Sequence, residues 1–286
     1  MKLSQARIAI PLALVLVVVV ATSSGCGVIN RIRAKNELNE AARTYREGHF
    51  VEAEQHARKA LELDSDNKTA PLFIARTVHA QYRTGVNTPE NIAKAREAIE
   101  AYRKILEADP TNEEAYKAIA FLYEKIKEDD KLRDWIIARA NDARVEPDKR
   151  AEAYIVLASK DWNCSFQITD LPTNKITTVS EGKATVSYRK PNQKDFETAQ
   201  ACVKRGLEEV EHAIKFDPNS ESAWSYKTNL LLEAAKLAEM EGKTDRKAEL
   251  DKQREEAQKR TTQLSEANKK KQAEEEAKKA ASPPTS

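Results

Sequence analysis

One stretch, residues 98–123, restricts the fold more than any other: AIEAYRKILEADPTNEEAYKAIAFLY. Ala98, Tyr102 and Ile105 recur at helical spacing, and so do Tyr116, Ile119, Ala120 and Tyr123. Asp109-Pro110 separates the two sets. Proline lacks the backbone N–H and clashes with the preceding turn, so no helix continues through it. The stretch therefore predicts two short amphipathic helices folded against each other. Ala98 and Ala120 are small enough to let the backbones approach, and Tyr102 and Tyr116 are large enough to fill the space between them.

Composition narrows the chemistry. The chain has 286 residues, 33% of them charged, with a formal net charge of only +2. A dedicated nucleic-acid surface carries a basic surplus, so none is expected. There are seven glycines, and none sits in a phosphate-binding loop; Gly182-Lys183 lacks the companion glycines. This argues against P-loop and dinucleotide-binding enzymes. Low glycine and aromatic content, with abundant Ala, Glu and Lys, fits a helical chain. His49, His56, His79 and His212 show no metal-ligand spacing with cysteines or paired carboxylates. No serine or cysteine has the setting of a nucleophile. Trp135, Trp162 and Trp224 fall near helix faces, where packing is the expected role. The sequence predicts no metal, no cofactor and no catalysis.

The spaced residues of the opening stretch resemble the tetratricopeptide repeat (TPR) family, whose unit is a helix pair of about 34 residues. Tyr116-x2-Ile119-Ala120-x2-Tyr123 matches the first part of its pattern, and Ala98-x3-Tyr102-x2-Ile105-x4-Pro110 the second. Other stretches fall into register. Residues 35–66 have Gly48 at the turn and Ala53, Ala57 and Ala60 facing a partner helix. Residues 70–82 place Leu72, Ala75 and Val78 inward. Residues 113–127 are followed by a helix with Leu132, Trp135, Ile136 and Ala140. A fourth unit has Tyr154, Leu157 and Ala158, then residues 197–216 with Gly206, Val210, Ala213 and Pro218 in register. A fifth begins at Trp224, with Lys227 where an apolar residue is expected. Boundary residues Ser65, Pro110, Pro147 and Pro218 are 45, 37 and 71 apart. The excess over one period fits a long turn at residues 85–91 and an insertion in the fourth unit. The resemblance covers about residues 35–250. It implies an all-α, right-handed superhelix of about five helix pairs.

Residues 163–195 change character, with Thr, Ser, Val and Ile replacing Ala, Glu and Lys. Phe166 and Ile168 alternate with polar residues, and residues 175–179 and 184–189 flank Ser180-Glu181-Gly182-Lys183. A two- or three-stranded meander is expected. Cys164 opens it and Cys202 follows it, so a disulfide between them is expected in an oxidising compartment, two free or buried thiols being the alternative. Beyond Gly242 the chain is almost all charged residues, Gln and Ala. Leu250, Ala257 and Leu264 supply one apolar residue per heptad, half of what a coiled coil uses. A single charged helix is expected here, capping the last repeat or mediating self-association. It covers much of a charged segment at residues 251–286 that ends disordered.

At the other end, Lys2 and Arg7 precede an apolar run at residues 8–21 and the small residues of Thr22-Ser23-Ser24-Gly25-Cys26. This order describes a secretory signal, and the run is short for a spanning helix of about 20 residues. The exit resembles a bacterial lipoprotein signal, which implies a lipid on Cys26, export, and a membrane-anchored position facing the periplasm. Ser23 stands where that pattern carries leucine. Retention of residues 1–26 as an anchor, and ordinary cleavage near residues 23–25, are the alternatives. Arg31, Arg33 and Lys35 would then lie beside anionic headgroups or in a solvated linker.

What remains is surface recognition. In the TPR family the first helix of each pair lines a concave groove. By register, the resemblance assigns this role to Tyr45, Arg76, Lys117, Phe121, Glu124, Ile155, Trp162 and Asn229. Leu38 and Ala42 stand where the chaperone-binding subclass carries its carboxylate clamp, so that activity is not implied. The expected function is a non-catalytic scaffold or assembly factor of the cell envelope, holding a peptide or a partner helix. The alternative is a structural, membrane-anchored protein that self-associates through its tail.

Overall fold

The computed structural model describes residues 9–180 and 182–281, with side chains for residues 27–179, 182 and 184–278. The side chains of Cys26 and of the apolar run lie outside the described residues. In chain order the helices are α1 (Ala9–Arg46), α2 (Phe50–Leu63), α3 (Ala70–Gln81), α4 (Pro89–Ala108), α5 (Glu113–Lys125), α6 (Asp129–Asn141), α7 (Pro147–Thr169), α8 (Gln193–Phe216), α9 (Glu221–Met240) and α10 (Thr244–Ala281). Strands β1 (Lys175–Ser180) and β2 (Lys183–Tyr188) fall between α7 and α8. Helices α1–α2, α3–α4, α7–α8 and α9–α10 pack as successive helix pairs, an all-α arrangement of repeated helix hairpins. The chain divides into two compact units, residues 1–132 and 133–286.

In the first unit each helix packs on the next, from α1 through α5. Alanine permits the close approach: Ala34, Ala60 and Ala70 are all fully buried, with Leu38, Leu61 and Leu63 closing around them. Tyr102, 2% exposed, fills its expected space. Ala120 departs from expectation, since it is only half-buried. Ala115, Ile119 and Leu122 share the buried side of α5 at helical spacing and leave Ala120 at its margin.

Two turn devices recur. Asp64, Asp109 and Asp217 close α2, α4 and α8 with nearly the same backbone, φ −141°, −137° and −135°. Asp109 and Asp217 then accept the N–H two residues on, at 3.1 and 3.0 Å. After α1, α3 and α9 the chain turns through a left-handed glycine, Gly48 at φ 82°, Gly85 at 83° and Gly242 at 71°, but after α5 through Lys127 at φ 58°. Glycine bears that conformation without steric cost; Lys127 is the exception.

In the second unit α7 packs on α8 and α9, α8 on α9, and α10 along α9. The insertion is smaller than expected. α7 continues to Thr169, so Phe166 and Ile168 are helical and not part of a strand. Only β1 and β2 pair, antiparallel, from Lys175↔Tyr188 to Ser180↔Lys183. Cys164 and Cys202 are bonded, with an S–S distance of 2.05 Å, and they join helix to helix instead of opening the strand segment. The charged tail is helical from Thr244. Leu250, Ala257 and Leu264 are 4%, 1% and 7% exposed, and Leu250 and Ala257 pack with Leu231, Ala235 and Ala238. The one apolar residue per heptad is thus used within the chain. No helix of the described residues is long and apolar enough to cross a membrane.

Candidate functional site

The first unit contains a cleft of about 750 Å³ lined by residues of α1, α3, α4 and α5. Tyr45 of α1 is fixed by ring contacts with Phe50 and Phe73, at 5.3 and 5.9 Å between centroids. His79 of α3 lies between Tyr102 and Phe121, at 5.9 and 5.7 Å, and its Nδ1 is 3.4 Å from the Tyr102 hydroxyl. Burial lowers the pKa of His79 below its ordinary 6.5, so it is neutral at pH 7. Burial raises the Tyr102 phenol, which stays protonated.

Charge lies at one side of these rings. Arg76 donates from Nε and Nη2 to the two carboxylate oxygens of Glu114. That hydrogen bonding raises Arg76 and lowers Glu114. The pair remains 44% and 42% exposed, so it is open to solvent and to a ligand. Lys117 is 70% exposed. Phe121 is 41% exposed, with the Lys125 ammonium 5.1 Å from its ring centre. The cleft offers an aromatic surface beside hydrogen-bonding groups of both charge signs. It contains no arrangement of a nucleophile with a base.

Four residues expected in a groove, Tyr45, Arg76, Lys117 and Phe121, do line this cleft. Glu124 is exposed beside Lys125, at 2.8 Å, and lies outside it. Ile155, Trp162 and Asn229 belong to the second unit and are half-buried. There Trp162 stacks on Phe166 at 5.2 Å and meets the edge of Tyr226 at 6.2 Å. It is a packed aromatic more than a free anchor. Tyr82 and Tyr102 complete the cleft; the A-x3-Y spacing of Ala98 and Tyr102 had pointed only to packing.

Two buried charged clusters in the second unit were not legible beforehand. Glu233, fully buried, accepts from Ser165 at 2.9 Å, Thr169 at 2.7 Å and Lys236 at 2.5 Å. The Lys236 ammonium also lies 5.3 and 5.0 Å from the ring centres of Phe166 and Tyr188. It thereby holds the hairpin base to the helices. In the second cluster Asp161 receives Arg133 at 3.2 Å and Arg205 at 2.8 Å, and Arg133 also pairs with Glu209. Among the described residues no group of three or more His, Cys, Asp and Glu side chains is placed to hold a metal.

No protein-family model and no curated protein matches the sequence. Several solved structures are similar in fold. A MamA RS-1 double mutant superposes with a TM-score of 0.40 at 14% identity, covering 82% of this chain and 96% of that one. A Pseudomonas aeruginosa PilF structure gives 0.34 at 15% identity, covering 78% and 91%. A tetratricopeptide repeat protein of Parabacteroides merdae gives 0.34 at 12% identity, covering 81% and 97%.

Proposed function

We propose that this protein is a non-catalytic interaction scaffold that holds an extended peptide or partner helix in the Phe121 cleft. The observation that carries the reading is Phe121 itself. It is a large aromatic left 41% exposed on a wall whose other rings are fixed, beside an open Arg76–Glu114 pair. Rigid aromatics next to charged hydrogen-bonding groups are the usual anchors of a protein interface. A photo-crosslinking residue at Lys117 should yield a discrete protein adduct. Phe121→Ala should weaken that capture by about 2 kcal/mol or more while the melting temperature stays nearly unchanged. A lowered melting temperature with capture intact would make Phe121 part of the core and remove the anchor.

The proposed setting is the cell envelope, with the chain anchored at its N-terminus. Two features support it: the order of basic start, apolar run and SSGC exit, and the Cys164–Cys202 bond, which suits an oxidising compartment. Cys26→Ala should release the protein from membranes or leave an unprocessed precursor. Unchanged mass and unchanged membrane fractionation would count against a lipid on Cys26.

A further inference from the structure

α1 carries a face that the helical stack leaves uncovered. Ala34 is buried against Ala60 and Ala70. On the other side of the same helix Val28, Ile29 and Ile32 are 58%, 51% and 57% exposed. At 3.6 residues per turn these three fall within an arc of about 100°. Arg33 borders the arc on one side, Arg31 and Lys35 on the other, and all three are exposed. Residues 27–36 contain no carboxylate. The first acidic residue, Glu37, is engaged by Lys59 at 2.5 Å and His56 at 2.7 Å. An apolar stripe between cationic borders, with no counter-charge of its own, is the pattern of a helix lying at a lipid interface. α1 is also uninterrupted from Ala9, so the stripe shares one helix with the apolar sequence at residues 9–21. At 1.5 Å per residue, Val28 stands about 10 Å beyond residue 21.

We infer that residues 28–35 form a contact surface for an anionic bilayer. Val28, Ile29 and Ile32 enter the boundary between headgroups and acyl chains, and Arg31, Arg33 and Lys35 meet lipid phosphates. Basic residues next to a membrane anchor are drawn to anionic headgroups within a Debye length. The inference rests on the anchoring reading above, taken with the apolar run retained. Charge decides the occupant: a protein partner or a second copy of this chain would need to bring carboxylates to the stripe, whereas an anionic lipid surface presents negative phosphates everywhere.

The test uses the full chain carrying Cys26→Ser, with a polarity-sensitive fluorophore on Ile32→Cys, reconstituted with phosphatidylcholine vesicles with and without phosphatidylglycerol. With phosphatidylglycerol the emission should shift to the blue and be quenched by lipids brominated high on the acyl chain. The same fluorophore on Arg46→Cys, at the far end of α1, should stay in water. Arg31→Glu, Arg33→Glu and Lys35→Glu together should abolish the shift while the protein still floats with the vesicles. Flotation with a water-exposed probe at position 32 would overturn the contact alone. Absence of flotation from both vesicle types would overturn the anchor and the contact together. A blue shift that needs no lipid and grows with protein concentration would assign the stripe to a second copy and overturn the proposal.

Discussion

At Gly206 the backbone of α8 comes so close to its neighbours that no side chain fits. A Cβ there would lie 2.6 Å from Leu230 Cδ2 and 3.2 Å from Asp161 Cβ. Leu230 is itself fully buried and has little room to yield, because protein interiors are packed like crystals. Gly206→Ala should therefore cost about 1–3 kcal/mol despite alanine's better helix propensity. Chemical denaturation would measure it, and a neutral or stabilising result would mean that Leu230 moves aside freely. The sequence placed Gly206 in repeat register, because smallness at a repeated position is visible in one dimension. It did not show that Lys127 takes the left-handed turn that Gly48 takes after α1, since a lysine carries no sign of positive φ.

The elements show why the helices were legible and the insertion was not. Apolar residues at helical spacing, bounded by Asp-Pro turns, marked the pairs. The end of α7 defeated the same logic. Asp161, Ser165 and Thr169 are polar yet buried, because Arg133 and Arg205 pair with the first and Glu233 accepts from the other two. A reading that puts polar residues outside sees only Phe166 and Ile168 alternating, and so predicts a strand. The partners come from α6, α8 and α9, far away in sequence. The cleft was named in part by the repeat register of the resemblance, which picked out Phe121, Arg76, Tyr45 and Lys117, four residues that line it; only packing could show that Trp162 leans on Phe166. The buried charges also make a pH prediction. Burial pushes the Glu209 carboxyl up to about 8 from its ordinary 4.5; Arg133 opposes the rise and the Asp161 carboxylate adds to it. A carboxyl raised on folding contributes stability that is fully present below 4.5 and is lost as pH climbs through about 8. Stability should fall across that interval, and Glu209→Gln should flatten the fall. Thermal melts at stepped pH would read it; equal slopes for both proteins would rule out Glu209 as the source.

On the scale of the whole molecule, the boundary between the units falls inside α6, at residues 132 and 133. The Cys164–Cys202 bond closes a loop in the second unit only, with a sequence separation of 38. Reduction should therefore lower the stability of the second unit by about 4 kcal/mol on the chain-entropy estimate, leaving the first unit's unfolding unchanged. Hydrogen exchange resolved by peptide would separate the two, and an equal loss of protection in both units would show that they unfold as one. The far end of this unit carries a different consequence. A stack of helix pairs is a polymer whose growth stops only when its last surface is occupied, because each added pair buries the apolar face of the one before. α10 spends Leu250, Ala257 and Leu264 on the second unit's own helices, and apart from these its described surface is dominated by charge. It occupies that surface as a terminator would: among the described residues of α10, every leucine is turned inward, and none is left for another copy to pack on.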